Sequence, residues 1–183
     1  NIKPIDYDHY WQERGFAINK KLKEREEIIL DLIKQGERVI DLGCGNSLLP
    51  IKLKAKGIEV SVADISREVV KGYSQYQIRG EVINLENIDN NQVIGPCDVI
   101  ILSEVLEHTR NPEAIISYLK DKTKKFIISI PNSAFYRYRL HLMFKGRFFT
   151  QWVYHPSEHL RFWSHLDFLN WLEALDLEIS QII

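Results

Sequence analysis

The chain has 183 residues, 45% hydrophobic and 27% charged, which suits one globular domain with a sizeable core. Lys and Arg number 24 against 25 Asp and Glu, so no global field draws the molecule toward nucleic acid or anionic lipid. No apolar run reaches the roughly 18 residues of a membrane span and no signal-peptide pattern is present, so a cytoplasmic protein is expected. Cys44 and Cys97 lack disulfide-framework or metal spacing and read as reduced, half-buried residues.

Taken in chain order, residues 15–35 read as a long amphipathic helix, with Ile28, Ile29, Leu32 and Ile33 inward and Gly36 as its stop. Strands are expected at 38–43, 59–64, 81–85, 98–103 and 125–130. Val, Ile and Leu dominate these runs with little alternation, as in a parallel sheet covered on both faces. Helices are expected near 47–56, 66–77 and 112–121, the last opened by Asn111-Pro112. Residues 132–163 then carry ten aromatics without a clear period, which is long for a connection and suggests a functional segment. Ser164 caps a final helix over 165–175, and a strand is expected near 176–182. The alternation of strand and helix predicts an α/β, doubly wound, mostly parallel sheet.

The stretch ERVIDLGCGNS, residues 37–47, sends an apolar run into Asp41 and then into Gly43 and Gly45. Glycines there let the backbone turn sharply and approach a ligand. A dinucleotide loop would need a third glycine at position 48, where Leu48 stands. An acid beside the loop suits a cationic amine or sulfonium better than a phosphate. Asp64 ends the second strand, where it can accept hydrogen bonds from ribose hydroxyls.

VIDLGCGNS, VADIS, CDVIILSEVLEH and FIISIPN, in that order, resemble a class I S-adenosylmethionine-dependent methyltransferase, with the Rossmann-like fold of that family. The resemblance covers essentially the whole chain. It implies S-adenosyl-L-methionine as cofactor, with Asp41, Gly43 and Gly45 at its methionine end and Asp64 on its ribose. Glu86 and Asn87 fall where the family contacts adenine, although the family usually has Asp at the first position. Ser103 and Glu104 would border the transferable methyl. DYDHYWQERG, residues 6–15, is similar to a segment that folds over the cofactor, so Tyr10 or Trp11 would cover the sulfonium. Anchoring the first helix to the sheet explains those aromatics equally well.

SEVLEHTRNP places Glu104, Glu107 and His108 at i, i+3 and i+4, and His159 would supply a fourth ligand for a divalent ion. The pattern is similar to metal-assisted RNA-end methyltransferases and to ubiquinone-pathway O-methyltransferases. Capping or orienting the following helix is the preferred explanation, so a divalent metal is possible but not expected. The run 134–149 mixes Arg137, Arg139, Lys145 and Arg147 with aromatics. A substrate lid is favoured over a nucleic-acid surface, a membrane-facing segment, or aromatics that simply belong to the core. His141 and His155 are candidate general bases on an acceptor hydroxyl. Asn132 either touches the acceptor or forms a turn.

The chain is therefore expected to be a single methyltransferase domain over 1–183, with an N-terminal helical cap at 1–36 and a lid at 132–163. The family's last antiparallel strand has no evident counterpart. The expected activity is methyl transfer to a small-molecule acceptor, by positioning and desolvation rather than a covalent nucleophile. PNSAFYRYRLHLMFKGRFF followed by HLRFWSHLDFLNWL most resembles the methionine-biosynthesis MetW proteins and related small-molecule methyltransferases. The alternatives are a non-catalytic cofactor-binding partner of a biosynthetic enzyme, or a metal-dependent methyltransferase of RNA 3′-end ribose. The acceptor and the oligomeric state are not legible.

Overall fold

The computed structural model describes residues 5–87, 94–148 and 158–183. Among the described residues, five parallel strands form the sheet: β1 (Arg38–Leu42), β2 (Glu59–Asp64), β3 (Arg79–Val82), β4 (Cys97–Ser103) and β5 (Thr123–Ser129). Their order is β3-β2-β1-β4-β5. The chain winds outward from β1 in one direction through β3 and then turns back to build in the other. Asp41 lies beside Val62 on one side and Ile101 on the other, so β1 is central. The crevice beyond the C-terminal ends of β1 and β4 is the topological switch point, where open α/β sheets bind ligands.

The helices are α1 (Tyr7–Arg14), α2 (Glu24–Leu32), α3 (Leu49–Ala55), α4 (Arg67–Ser74), α5 (Pro112–Leu119), α6 (Tyr136–Lys145) and α7 (His165–Ala174), with α2 and α3 on one face of the sheet and α5 and α7 on the other. The two-residue period of β4 divides its side chains between them. Ile100 and Leu102 pack with Ile115, Ile116 and Leu119 of α5 and Phe168 of α7. Val99 and Ile101 face the other way, against Ile29 of α2 and Leu49 and Leu53 of α3. At about 25 cal/mol per Å² of apolar area, the fully buried leucines and isoleucines each contribute roughly 1.5–3 kcal/mol. These two layers fix the strand ends that carry the site.

Several expectations are corrected. The helix expected over 15–35 is shorter: within it only α2, Glu24–Leu32, is helical, and an irregular stretch separates it from α1, which lies before residue 15. Gly15, at φ 62°, ends α1 in a left-handed cap, and Glu26 reaches back to the Lys23 N–H at 2.8 Å to start α2. Phe16 and Ile18 of the intervening stretch pack beside Tyr73 and Val69 of α4. β3 begins at Arg79, two residues before the expected start, and Leu85–Asn87 form a 3₁₀ turn. The aromatic segment contains a helix, α6, that buries none of its residues and so shows no inward periodicity. No strand forms over 176–182, where Ile179 and Ile182 are exposed and no neighbour offers a ladder. Ser164 does cap α7, its hydroxyl accepting from the Asp167 N–H at 3.1 Å. Among the described residues no helix is long and apolar enough to cross a membrane.

Candidate functional site

The loop after β1 is shaped by two left-handed glycines, Gly43 at φ 70° and Gly45 at φ 51°. The Gly43 N–H donates to the Ala63 carbonyl at 2.7 Å, which ties the loop to the end of β2. A Cβ at Gly43 would stand 2.6 Å from Val105 Cγ2, so the missing side chain is needed by the protein's own packing. The Gly45 N–H donates to Asp64 Oδ2 at 2.9 Å, while Asp64 Oδ1 accepts from the Ser66 N–H at 2.9 Å. Asp64 thus sets the loop as well as facing the crevice. Burial raises its carboxyl above the usual carboxylate range. Asp41 is 3% exposed and its carboxyl is pushed up to about 8, first by burial and then by the charges of Glu26 and Asp64. No described residue hydrogen-bonds its carboxylate.

Two adjoining cavities open at these strand ends. The first, about 640 Å³, is lined by Gly43, Gly45 and Asp64 below and by Tyr7, Tyr10 and Trp11 of α1 above. Glu86 and Asn87 of the 3₁₀ turn form its far wall. Glu86 Oε1 accepts from the Arg110 N–H, so this carboxylate already has a partner. The second cavity, about 470 Å³, holds Arg25, Glu26, Asp41, Ser103, Glu107 and His159. Gly43, Gly45, Tyr10, Trp11, Glu104, His108 and Glu158 line both.

Helix α1 is latched over the first cavity by Asp8, which accepts from the Ser66 hydroxyl at 2.6 Å and the Arg67 N–H at 2.7 Å. That hydroxyl bond leads the effects holding the Asp8 carboxyl below its usual range. Tyr7 is raised to about 12, by burial first and then by Glu158, so it stays a protonated donor at neutral pH.

Glu104 follows β4 in a left-handed conformation, φ 56°, with its N–H held by the Ser129 carbonyl at 2.9 Å. Its carboxylate pairs with Arg25 at 2.7 Å, and Arg25 Nε also donates to Ser103 Oγ at 3.2 Å. Glu107 is 1% exposed and neither carboxylate oxygen has a partner among the described residues. Burial pushes it up to about 8. His108 Nδ1 lies 2.5 Å from the Glu158 carbonyl, and burial lowers the imidazole below its usual range. His159 packs edge-on against it at 4.7 Å and is lowered for the same reason.

The structure therefore gathers Asp41, Gly43, Gly45, Asp64, Glu86, Asn87, Ser103, Glu104, Tyr10 and Trp11 around the two cavities. Glu107, His108 and His159 converge, while Glu104 is turned to Arg25. Neither Glu107 nor His108 caps the following helix. Asn111 does so, accepting from the Ala114 N–H at 3.1 Å. His141 stands on α6 and lines neither cavity, and His155 lies outside the described residues. Asn132 forms a turn, its Oδ1 accepting from the Ala134 N–H at 3.1 Å. Sequence reasoning missed Tyr7, Asp8, Arg25 and Glu26. Only Glu26 left a local signal, its place three residues after Lys23, the N-cap of α2.

A family model described as "Methionine biosynthesis protein MetW" matches residues 23–183. The chain belongs to the MetW family. Among sequence relatives of this MetW chain, the ubiquinone biosynthesis O-methyltransferase of Xanthomonas axonopodis pv. citri is 33% identical over 105 residues, 52% of the chain and 44% of the relative. Its counterpart in Xanthomonas oryzae pv. oryzae is 31% identical over 120 residues, 60% of the chain and 49% of the relative. The chain spans about half the length of the curated relatives it matches. In fold it is similar to magnesium protoporphyrin IX methyltransferase from Synechocystis PCC 6803 with bound SAH, at TM-score 0.63 and 19% identity over 96% of this chain and 85% of that one. A SAM-dependent methyltransferase of Thermotoga maritima, described as a possible histamine N-methyltransferase, gives TM-score 0.62 and 14% identity over 84% of this chain and 70% of that one. These neighbours establish the class I methyltransferase fold for the MetW chain.

Proposed function

We propose that this chain binds S-adenosylmethionine in the first cavity and transfers its methyl group to a small-molecule acceptor in the second. The observation that carries this reading is the pairing of Asp64, at the end of β2, with the Gly45 N–H at 2.9 Å across the mouth of the 640 Å³ cavity. It puts an acid with free lone pairs beside a side-chain-poor turn, in a space of the size that small ligands fill. Asp41 lines the second cavity, and Gly43 and Gly45 line both, so its buried carboxyl, without a hydrogen-bond partner among the described residues, fits a cationic group at the methionine end of a cofactor that reaches past the loop. The bound cofactor supplies an already activated methyl on sulfonium.

The chain's own residues position and exclude water. Asp64 accepts from ribose hydroxyls while keeping the loop in place. Tyr10 and Trp11 roof the space over Gly45, where Trp11 stands 3.6 Å from a Cβ built at that glycine. Asp8 holds that roof against α4. Arg25, Ser103 and Glu104 form the boundary between the cavities and orient the acceptor. The described residues of 132–148 and 158–163 form the acceptor-side lid, since Tyr138 and His159 line the second cavity. Desolvation inside it strengthens each of these electrostatic contacts.

The test is calorimetric titration with S-adenosylmethionine, followed by methyl release across a panel of small acceptors. Asp64→Ala is expected to weaken binding at least about tenfold while the fold, checked by circular dichroism, persists. Unchanged affinity would overturn the assignment. A second reading has its own observation: α6 presents Met143 at 66% and Phe144 at 74% exposure, as a partner-binding regulator would. Tight cofactor binding without turnover on any acceptor would favour that reading.

A further inference from the structure

Glu107 poses a problem that the methyl-transfer reading leaves unsolved. The residue is 1% exposed, and neither carboxylate oxygen meets a donor among the described residues. An ionised carboxylate in that position bears a desolvation cost with nothing to offset it. Protonating it leaves a hydroxyl with no acceptor, so neutralisation alone does not remove the difficulty. Nor does a capping role, because Asn111 caps α5. A buried orphan of this kind calls for a bound group.

The surroundings supply the rest of a donor set. One ligand atom each from Glu107, His108 and His159 lies within 4.8 Å of the others. His108 is already prepared: the 2.5 Å contact from Nδ1 to the Glu158 carbonyl requires a proton on Nδ1, which leaves the Nε2 lone pair free. A backbone carbonyl on one imidazole nitrogen is the usual way proteins fix the tautomer of a metal-binding histidine. Donors bound at about 2.1 Å stand roughly 3–4 Å apart, so closure needs one modest side-chain rotation. His159, half-buried on the edge of the second cavity, has room for it.

We propose that Glu107, His108 and His159 form a site for one divalent transition-metal cation in the wall of the second cavity. Two imidazoles and one carboxylate suit a borderline ion such as Zn²⁺, Co²⁺ or Mn²⁺. They suit Ca²⁺ and Mg²⁺ poorly, since those ions prefer all-oxygen shells. Three protein donors leave positions open toward the cavity, so the bound ion faces whatever acceptor enters. Glu104, held by Arg25 at 2.7 Å, borders the site without completing it.

The experiment uses the full chain, stripped with chelator and titrated with Co²⁺ alone, without cofactor or acceptor. One equivalent is expected to produce a visible d–d absorption band, to raise the thermal midpoint, and to resist millimolar Mg²⁺. His159→Ala and Glu107→Gln are each expected to weaken Co²⁺ binding by at least about 100-fold. Absence of the band in the unsubstituted chain, or equal affinity in both variants, overturns the proposal. Metal-free Glu107→Gln should be at least as stable to urea as the unsubstituted chain, because it removes an unpaired buried acid. A marked loss of stability would mean that the carboxylate has a structural partner, which also overturns the proposal. S-adenosylmethionine binding, measured on the same samples, separates a failure here from a failure of the methyl-transfer reading.

Discussion

Gly43→Ala tests how the loop is built. At φ 70° an alanine incurs a left-handed penalty of about 1–2 kcal/mol. Its Cβ would also sit 2.6 Å from Val105 Cγ2, and Val105 is only 8% exposed, so the valine must move within a packed core. Overpacking of that kind costs about 1–3 kcal/mol. The two effects together destabilise by about 2–5 kcal/mol, a large share of the roughly 5–15 kcal/mol typical of a domain. Urea denaturation should show a lower midpoint with an unchanged slope. A double-mutant cycle with Val105→Ala separates the contributions. The steric part, about 1–3 kcal/mol, should return as favourable coupling, while the backbone part remains. A coupling below about 0.5 kcal/mol would show that Val105 does not constrain the loop.

Three further outcomes are expected. Burial raises Asp41 from 3.8 to about 8, so the folded chain keeps a proton that the unfolded chain releases. The stability from this group is complete below about pH 4 and is lost as pH rises through 8; Asp41→Asn should flatten that part of a urea-midpoint profile, and an unchanged profile would refute it. Asp8→Ala should raise amide hydrogen exchange across Tyr7–Arg14 and weaken S-adenosylmethionine binding about three- to tenfold, leaving the global midpoint nearly unmoved. Trp163→Ala, which empties a site packed by Phe168 and Trp171, should cost about 3–5 kcal/mol in chemical denaturation.

The sheet was legible because its strands are short, apolar and regularly spaced by helices, and β1, β2 and β4 fall within a residue of where those runs lie. The loop was legible because glycine and aspartate have strong local preferences. What stayed hidden depends on contacts between distant positions. Arg25 reads as one more surface base on a charged helix until the fold sets it 2.7 Å from Glu104. Asp8 likewise has no local feature announcing that Ser66, 58 positions away, will donate to it. α6 was missed for a different reason: a helix with no buried face leaves no apolar stripe to read. The strand near 176–182 failed because local propensity supplies no ladder partner.

The main chain of Glu107 also has a role. Its carbonyl receives both the Leu160 N–H, at 2.7 Å, and the Arg161 N–H, at 3.2 Å. These bonds involve no side chain, so replacing Leu160 or Arg161 with any residue other than proline leaves them available. Arg161 adds a side-chain tie, its Nη2 donating to the Arg110 carbonyl at 2.6 Å and pairing with Glu113 at 3.4 Å, so it is position 160 that rests on main-chain bonds. The side chain at position 160 can therefore change, and with it the lining of the first cavity, without losing the bonds that hold the backbone in place.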